Sequence, residues 1–116
     1  MPKEFMSYDH PIEIVENDVL IVSVVGSDGS YFMWQKGLTE EVGSDDGVYF
    51  EFNDQINGRH NQVTECTVTN NGIHVVLASG KSEQFNFPSQ FDKYQELRAG
   101  LNKVYAEHGG IVEFSI

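Results

Sequence analysis

The sequence predicts one α+β domain, mostly β: an antiparallel, meander-like sheet with one C-terminal helix packed on a face. Three observations carry that expectation. Short runs rich in β-branched and aromatic residues recur along the chain, as strands require. An Asn71-Gly72 step between two of these runs marks a hairpin, because Asn-Gly suits turns that need positive φ. Towards the C-terminus the apolar spacing becomes helical, with Phe91, Tyr94, Leu97, Leu101, Val104 and Tyr105 forming one stripe.

In chain order, Ile12–Val15 reads as a weak first strand and Asn17-Asp18 as a turn. Val19–Val25 is apolar on both faces and is expected to be central, covered on both sides. Gly26–Gly29 has turn chemistry, and Tyr31–Lys36 is the partner strand. Gly37–Gly47 is a loop carrying Glu40, Glu41, Asp45 and Asp46. Val48–Phe52 alternates, with Val48, Phe50 and Phe52 on one face and Tyr49 and Glu51 on the other.

Asn53–Asn61 follows as a long polar loop between two strands that a short turn could join. Loops of that length in a compact domain are often functional, although Asp54 and Gln55 could equally cap backbone groups within it. Val63–Thr69 and Ile73–Leu77 form the hairpin. Cys66 and Val68 share a face with Ile73, Val75 and Leu77, and Thr67, Thr69, His74 and Val76 take the reverse. Gln84–Phe87 is a further short strand. Pro88 ends it, and Ser89 is expected to begin the helix with Asp92 as capping partner. Lys93, Glu96, Asn102, Lys103 and Glu107 mark the polar face, Gly109 the end, and Ile111–Phe114 a last strand.

The 116 residues suit a single domain over 1–116, and 40% hydrophobic with 12% aromatic residues argues against disorder. Seven Lys and Arg against 18 Asp and Glu give a formal net charge of −11. Such a surface repels nucleic acid and anionic lipid and attracts basic partners, and it also keeps a small protein in solution. Neither a nucleic-acid nor a membrane partner is expected. Met1–Phe5 lacks a basic segment leading into an apolar stretch, and no run is long enough to span a bilayer, so a cytoplasmic location is expected.

No catalytic constellation emerges. Cys66 is the only cysteine and His74 falls on the opposite hairpin face, so a thiol–imidazole dyad is disfavoured and a buried thiol expected. His10, His60, His74 and His108 are dispersed, and Asp45-Asp46-Gly47 lacks the alternating oxygens of a calcium loop. Neither a phosphate-binding glycine loop nor a G-x-S-x-G elbow occurs. The expectation is a non-enzyme with no catalytic residues, no metal and no cofactor. A small-ligand or metal-dependent enzyme centred on Asp54 and His60 is one alternative. A structural or regulatory subunit whose sheet edge self-associates into a homodimer is another. Trp34 shares its strand face with Phe32 and Lys36 and is expected in the core; exposed, it would be a binding anchor.

The order of elements carries a resemblance. The aromatic strand Tyr31-Phe32-Met33-Trp34-Gln35-Lys36 precedes an acidic insertion. Then come Tyr49-Phe50-Glu51-Phe52-Asn53-Asp54-Gln55, a Gly-containing polar loop, the Val63–Leu77 hairpin, and a helix with Tyr94, Leu97, Leu101 and Tyr105. Over residues 31–105 this resembles the tenth immunity-protein family of bacterial polymorphic toxin systems. The resemblance implies a mostly β protein that binds and neutralises a cognate protein toxin. Joined to the acidic charge, it points to a basic nuclease toxin as partner. On that reading Glu40, Glu41, Asp45 and Asp46 steer the encounter, and Asp54 and Gln55 lie near the contact.

Overall fold

The computed structural model describes residues 12–15, 19–26, 29–37, 47–87, 91–106 and 110–115, with the backbone alone for 12–15. The Asn17-Asp18 turn, Glu40, Glu41, Asp45, Asp46, Ser89, Glu107, Gly109, His10 and His108 lie outside the described residues.

β-Branched and aromatic alternation produces nine strands in the described residues, and the fold is mostly β with one helix near the C-terminus. A five-stranded sheet contains β1 (Ile12–Val15), β2 (Val19–Val25), β3 (Tyr31–Gly37), β4 (Val48–Phe52) and β5 (Asp54–His60), paired in that order. Its pairs are all antiparallel. A four-stranded sheet contains β6 (Val63–Thr69), β7 (Gly72–Leu77), β8 (Ser82–Asn86) and β9 (Val112–Ser115), in the order β8-β7-β6-β9. The expected single meander is therefore divided in two, and its last strand differs in direction: β9 runs parallel to β6, with Cys66 opposite Val112. The helix α1 (Tyr94–Val104) supplies the crossover that a parallel pair needs.

The core lies between the sheets. Leu20, Val22, Phe32, Trp34 and Phe50 from one sheet meet Cys66, Val68, Ile73, Val75 and Phe85 from the other, with Leu97, Leu101, Val104 and Tyr105 from α1. Each large side chain buried this way contributes about 1.5–3 kcal/mol. Trp34 is fully buried, its ring 5.0 Å from that of Phe50, so the anchor reading of this residue is set aside. Among the described residues its indole N–H makes no hydrogen bond. It does work against the burial that raises the Tyr105 phenol. The strand β2 is buried from Leu20 to Val24, as an apolar strand covered on both sides should be. Its second face joins a smaller cluster of Ile21, Tyr31 and Met33.

Three local expectations change. Within the polar stretch 53–61, Asp54–His60 is a strand, not a loop. The hairpin reverses at Asn70 and Asn71, because Val68 pairs with Ile73. The expected faces survive this one-residue shift, and positive φ is confined to Asn53 and Asn61 among described non-glycine residues. Gly72 is needed for a different reason: a Cβ there would strike the backbone carbonyl of Phe85 in β8. Finally, the helix begins at Tyr94, later than expected, with Lys93 at the N-cap and no side-chain cap bond. Phe91 stacks on Phe87 at 4.2 Å instead of entering the helix. Among the described residues no helix is long and apolar enough to cross a membrane.

Candidate functional site

Two asparagines in the left-handed region fasten the ends of β5. Asn53 (φ 62) reverses the chain after β4, donates its backbone N–H to Tyr31 O at 3.1 Å and accepts the Tyr31 N–H on its side-chain oxygen at 3.0 Å. Asn61 (φ 56) repeats the arrangement with Val48, at 2.7 and 3.1 Å. Asparagine tolerates this backbone region, and its short amide imitates a strand partner.

Between these fastenings β5 bulges. Phe52 pairs with Asp54 and Phe50 with Arg59, so Gln55, Ile56, Asn57 and Gly58 stand against Glu51 alone. Side chains bond several of the bulge's backbone groups. Asp54 Oδ1 accepts the Ile56 N–H at 3.1 Å, and Arg59 Nη1 donates to Ile56 O at 2.9 Å and Gly58 O at 2.6 Å. Asn57 Nδ2 donates to Phe52 O at 2.8 Å, and Gln62 Nε2 bridges Phe50 O and Asn57 O at 2.7 and 2.8 Å. At the crest sits Ile56, 74% exposed, the one exposed large hydrophobic among the described residues. Asp54 and Gln55, both exposed, stand beside it.

A buried acid lies beneath. Glu51 is 1% exposed and accepts the hydroxyls of Tyr31 on Oε2 and Tyr49 on Oε1, the latter at 2.8 Å. Two phenol donors compensate a carboxylate that burial would otherwise penalise. Burial, then the hydrogen bond to Glu51 and the negative charge of Glu51, push the Tyr49 hydroxyl up to about 12, with Arg59 opposing. Tyr31 is raised by the same causes in the same order, and by Asp54 besides. The Tyr49 ring meets His60 edge-on at 5.3 Å and covers Gly58, where a Cβ would collide with its hydroxyl.

Of the residues singled out from sequence, Asp54 and Gln55 are brought together on the bulge. Asp54 and His60 are not: they pair with Phe52 and Tyr49, about 10 Å apart along β4. Among the described residues no three of His, Cys, Asp and Glu converge as a metal site would require. Cys66 is fully buried, and desolvation raises its thiol to about 12, which leaves it without nucleophilic character. An apolar pocket of about 220 Å³ lined by Val48, Asn61, Val63, Tyr105 and Ile111 opens between the sheets. Sequence reasoning missed Ile56, Arg59 and Gln62. The available signal was Ile56 itself, the lone large apolar residue in an otherwise polar stretch. In comparisons with protein-family models, curated proteins and solved structures, this chain finds no match.

Proposed function

We propose that this chain is a non-catalytic, cytoplasmic binding protein that neutralises a cognate protein toxin by docking through the β5 bulge. One observation carries the reading: Ile56 is held out to solvent with its own backbone N–H and C=O bonded to Asp54 and Arg59. A lone exposed aliphatic is unremarkable on a surface. One fixed in place is different, because docking it costs little ordering entropy and anchors of this kind dominate interfaces. With the N–H and C=O of Ile56 both occupied, the bulge also blunts the sheet edge, so recognition there runs through side chains and not through an added strand. This argues against homodimerisation by β5 pairing.

The net charge of −11 favours a basic partner, of which a nuclease toxin is the leading class. Glu40, Glu41, Asp45 and Asp46 accelerate that encounter in this proposal, and Asp54 and Gln55 border the contact.

The test is retention of a polypeptide from the native lysate by the tagged chain and by its Ile56→Asp variant, followed by expression of that polypeptide alone and with this chain. The expected result is a basic polypeptide that is toxic alone, tolerated with the wild-type chain, and lost from the variant. Equal retention by Ile56→Asp would remove the bulge from the interface. A retained polypeptide that is harmless alone would end the neutralisation reading.

A further inference from the structure

The sequence contains two Asn-Gly steps, Asn57-Gly58 and Asn71-Gly72, and the fold treats them differently. We propose that Asn71 is a site of spontaneous covalent modification, converted through a cyclic imide to aspartate and isoaspartate, while Asn57 is protected by its hydrogen bonds.

The chemistry needs only solvent. The backbone nitrogen of the following residue loses its proton to water or hydroxide and attacks the asparagine Cγ. A new N–Cγ bond forms, the Cγ–Nδ2 bond breaks, and ammonia leaves. Water then opens the ring at either carbonyl. One water is consumed and one ammonia released, with no change of oxidation state. Glycine in the second position favours the attack because no Cβ crowds the nitrogen.

At Asn57 the side-chain amide is tied to Phe52 O at 2.8 Å and the backbone carbonyl to Gln62 Nε2 at 2.8 Å. Gly58 is covered by the Tyr49 ring. Turning the Asn57 amide towards the Gly58 nitrogen breaks the first bond. Asn71 is exposed at the β6–β7 reversal, whereas Gly72, which supplies the attacking nitrogen, is buried in β7 beside Phe85 O, so the turn must open locally before solvent takes its proton. Its backbone is held, with N–H to Thr69 Oγ1 at 3.2 Å and C=O from the Phe87 N–H at 2.9 Å. Its side-chain amide makes no hydrogen bond among the described residues, so Cγ is free to swing.

The consequence is local. Isoaspartate reroutes the main chain through the side-chain carbon, which displaces the carbonyl that accepts the Phe87 N–H. That bond ties the end of β8 to the hairpin, next to the Phe87–Phe91–Tyr94 ring stack and the Tyr94 hydroxyl bond to Asn70 O. Ageing therefore loosens the junction of β8 with α1 and leaves the β5 bulge intact.

The experiment incubates the full chain, native and urea-denatured, in mildly alkaline buffer at body temperature, and follows both steps by peptide-mapping mass spectrometry with isoaspartate methyltransferase as probe. In the denatured chain both steps react. In the native chain Asn71 is expected to convert about tenfold faster than Asn57, the factor that one retained hydrogen bond supplies. Asn71→Gln abolishes the native signal. Equal native rates, conversion of Asn57 first, or no native conversion at Asn71 while the denatured chain reacts would each overturn the proposal. None of these outcomes depends on whether Ile56 docks a toxin.

Discussion

Tyr31→Phe removes one hydroxyl from the Glu51 carboxylate and changes almost nothing else. Tyr31 and Glu51 are 2% and 1% exposed, so water does not readily take the place of the lost donor. Phenylalanine fills the same ring space, which keeps a cavity cost out of the result. A hydrogen bond to a charged group contributes about 1.5–3 kcal/mol, so the expected loss is about 2 kcal/mol. With a urea m-value of about 2 kcal/mol per molar for a domain of this size, the unfolding midpoint falls by about 1 M at unchanged m. Tyr49→Phe should cost less, because Tyr49 is only half-buried. The double variant should depart from the sum, since both hydroxyls serve one carboxylate. Urea melts by circular dichroism supply all three values. A Tyr31→Phe midpoint indistinguishable from wild type would show that Glu51 does not depend on the phenols.

Three further outcomes follow from the same geometry. The Tyr49 hydroxyl is held up to about 12, so the folded state keeps its proton where the unfolded chain, near 10, releases it; stability should fall as pH rises through that window, followed by phenolate absorbance and urea midpoints. An absorbance midpoint near the ordinary value in the folded protein would contradict this. Cys66 should resist a thiol reagent until the chain unfolds, and stoichiometric labelling of the native protein within mixing time would contradict its burial. Arg59→Ala should speed amide exchange at Gln55–Gly58 while moving the global midpoint little, because the guanidinium bonds only to exposed bulge carbonyls. Unchanged exchange would mean that Asp54 and Asn57 hold the bulge without it.

The strands that bury one face were legible in sequence, because Val48-Tyr49-Phe50-Glu51-Phe52 and the Cys66–Leu77 hairpin alternate as the pleat demands. The strand β5 was not legible, for a physical reason. It lies on a sheet edge, six of its seven residues are polar or glycine, and so no alternation records it. Only the two asparagines at its ends and the lone Ile56 distinguish it from a loop. The hairpin turn was displaced because Asn71-Gly72 signals a positive-φ turn, whereas Gly72 is required by its approach to Phe85. The helix start was misplaced because Phe91 continues the apolar stripe in sequence while stacking on Phe87 in space. Half of the bulge was legible: Asp54 and Gln55 stood out as polar, but the Arg59 and Gln62 bonds that shape it depend on backbone carbonyls no sequence pattern reports.

The parallel strand β9 sets an order of assembly. Every pair in the five-stranded sheet joins neighbours in sequence, so each closes a short loop. Cys66 meets Val112 only after β7, β8 and α1 have intervened, and closing that longer stretch carries a larger entropy cost before any contact repays it. The sheet of sequence neighbours can form without β9, and β9 docks against β6 as the late step. The Cys66 N–H, bonded to Ile111 O at 2.8 Å, is the reporter: in pulsed exchange during refolding it should gain protection after the amides of β2 and β3.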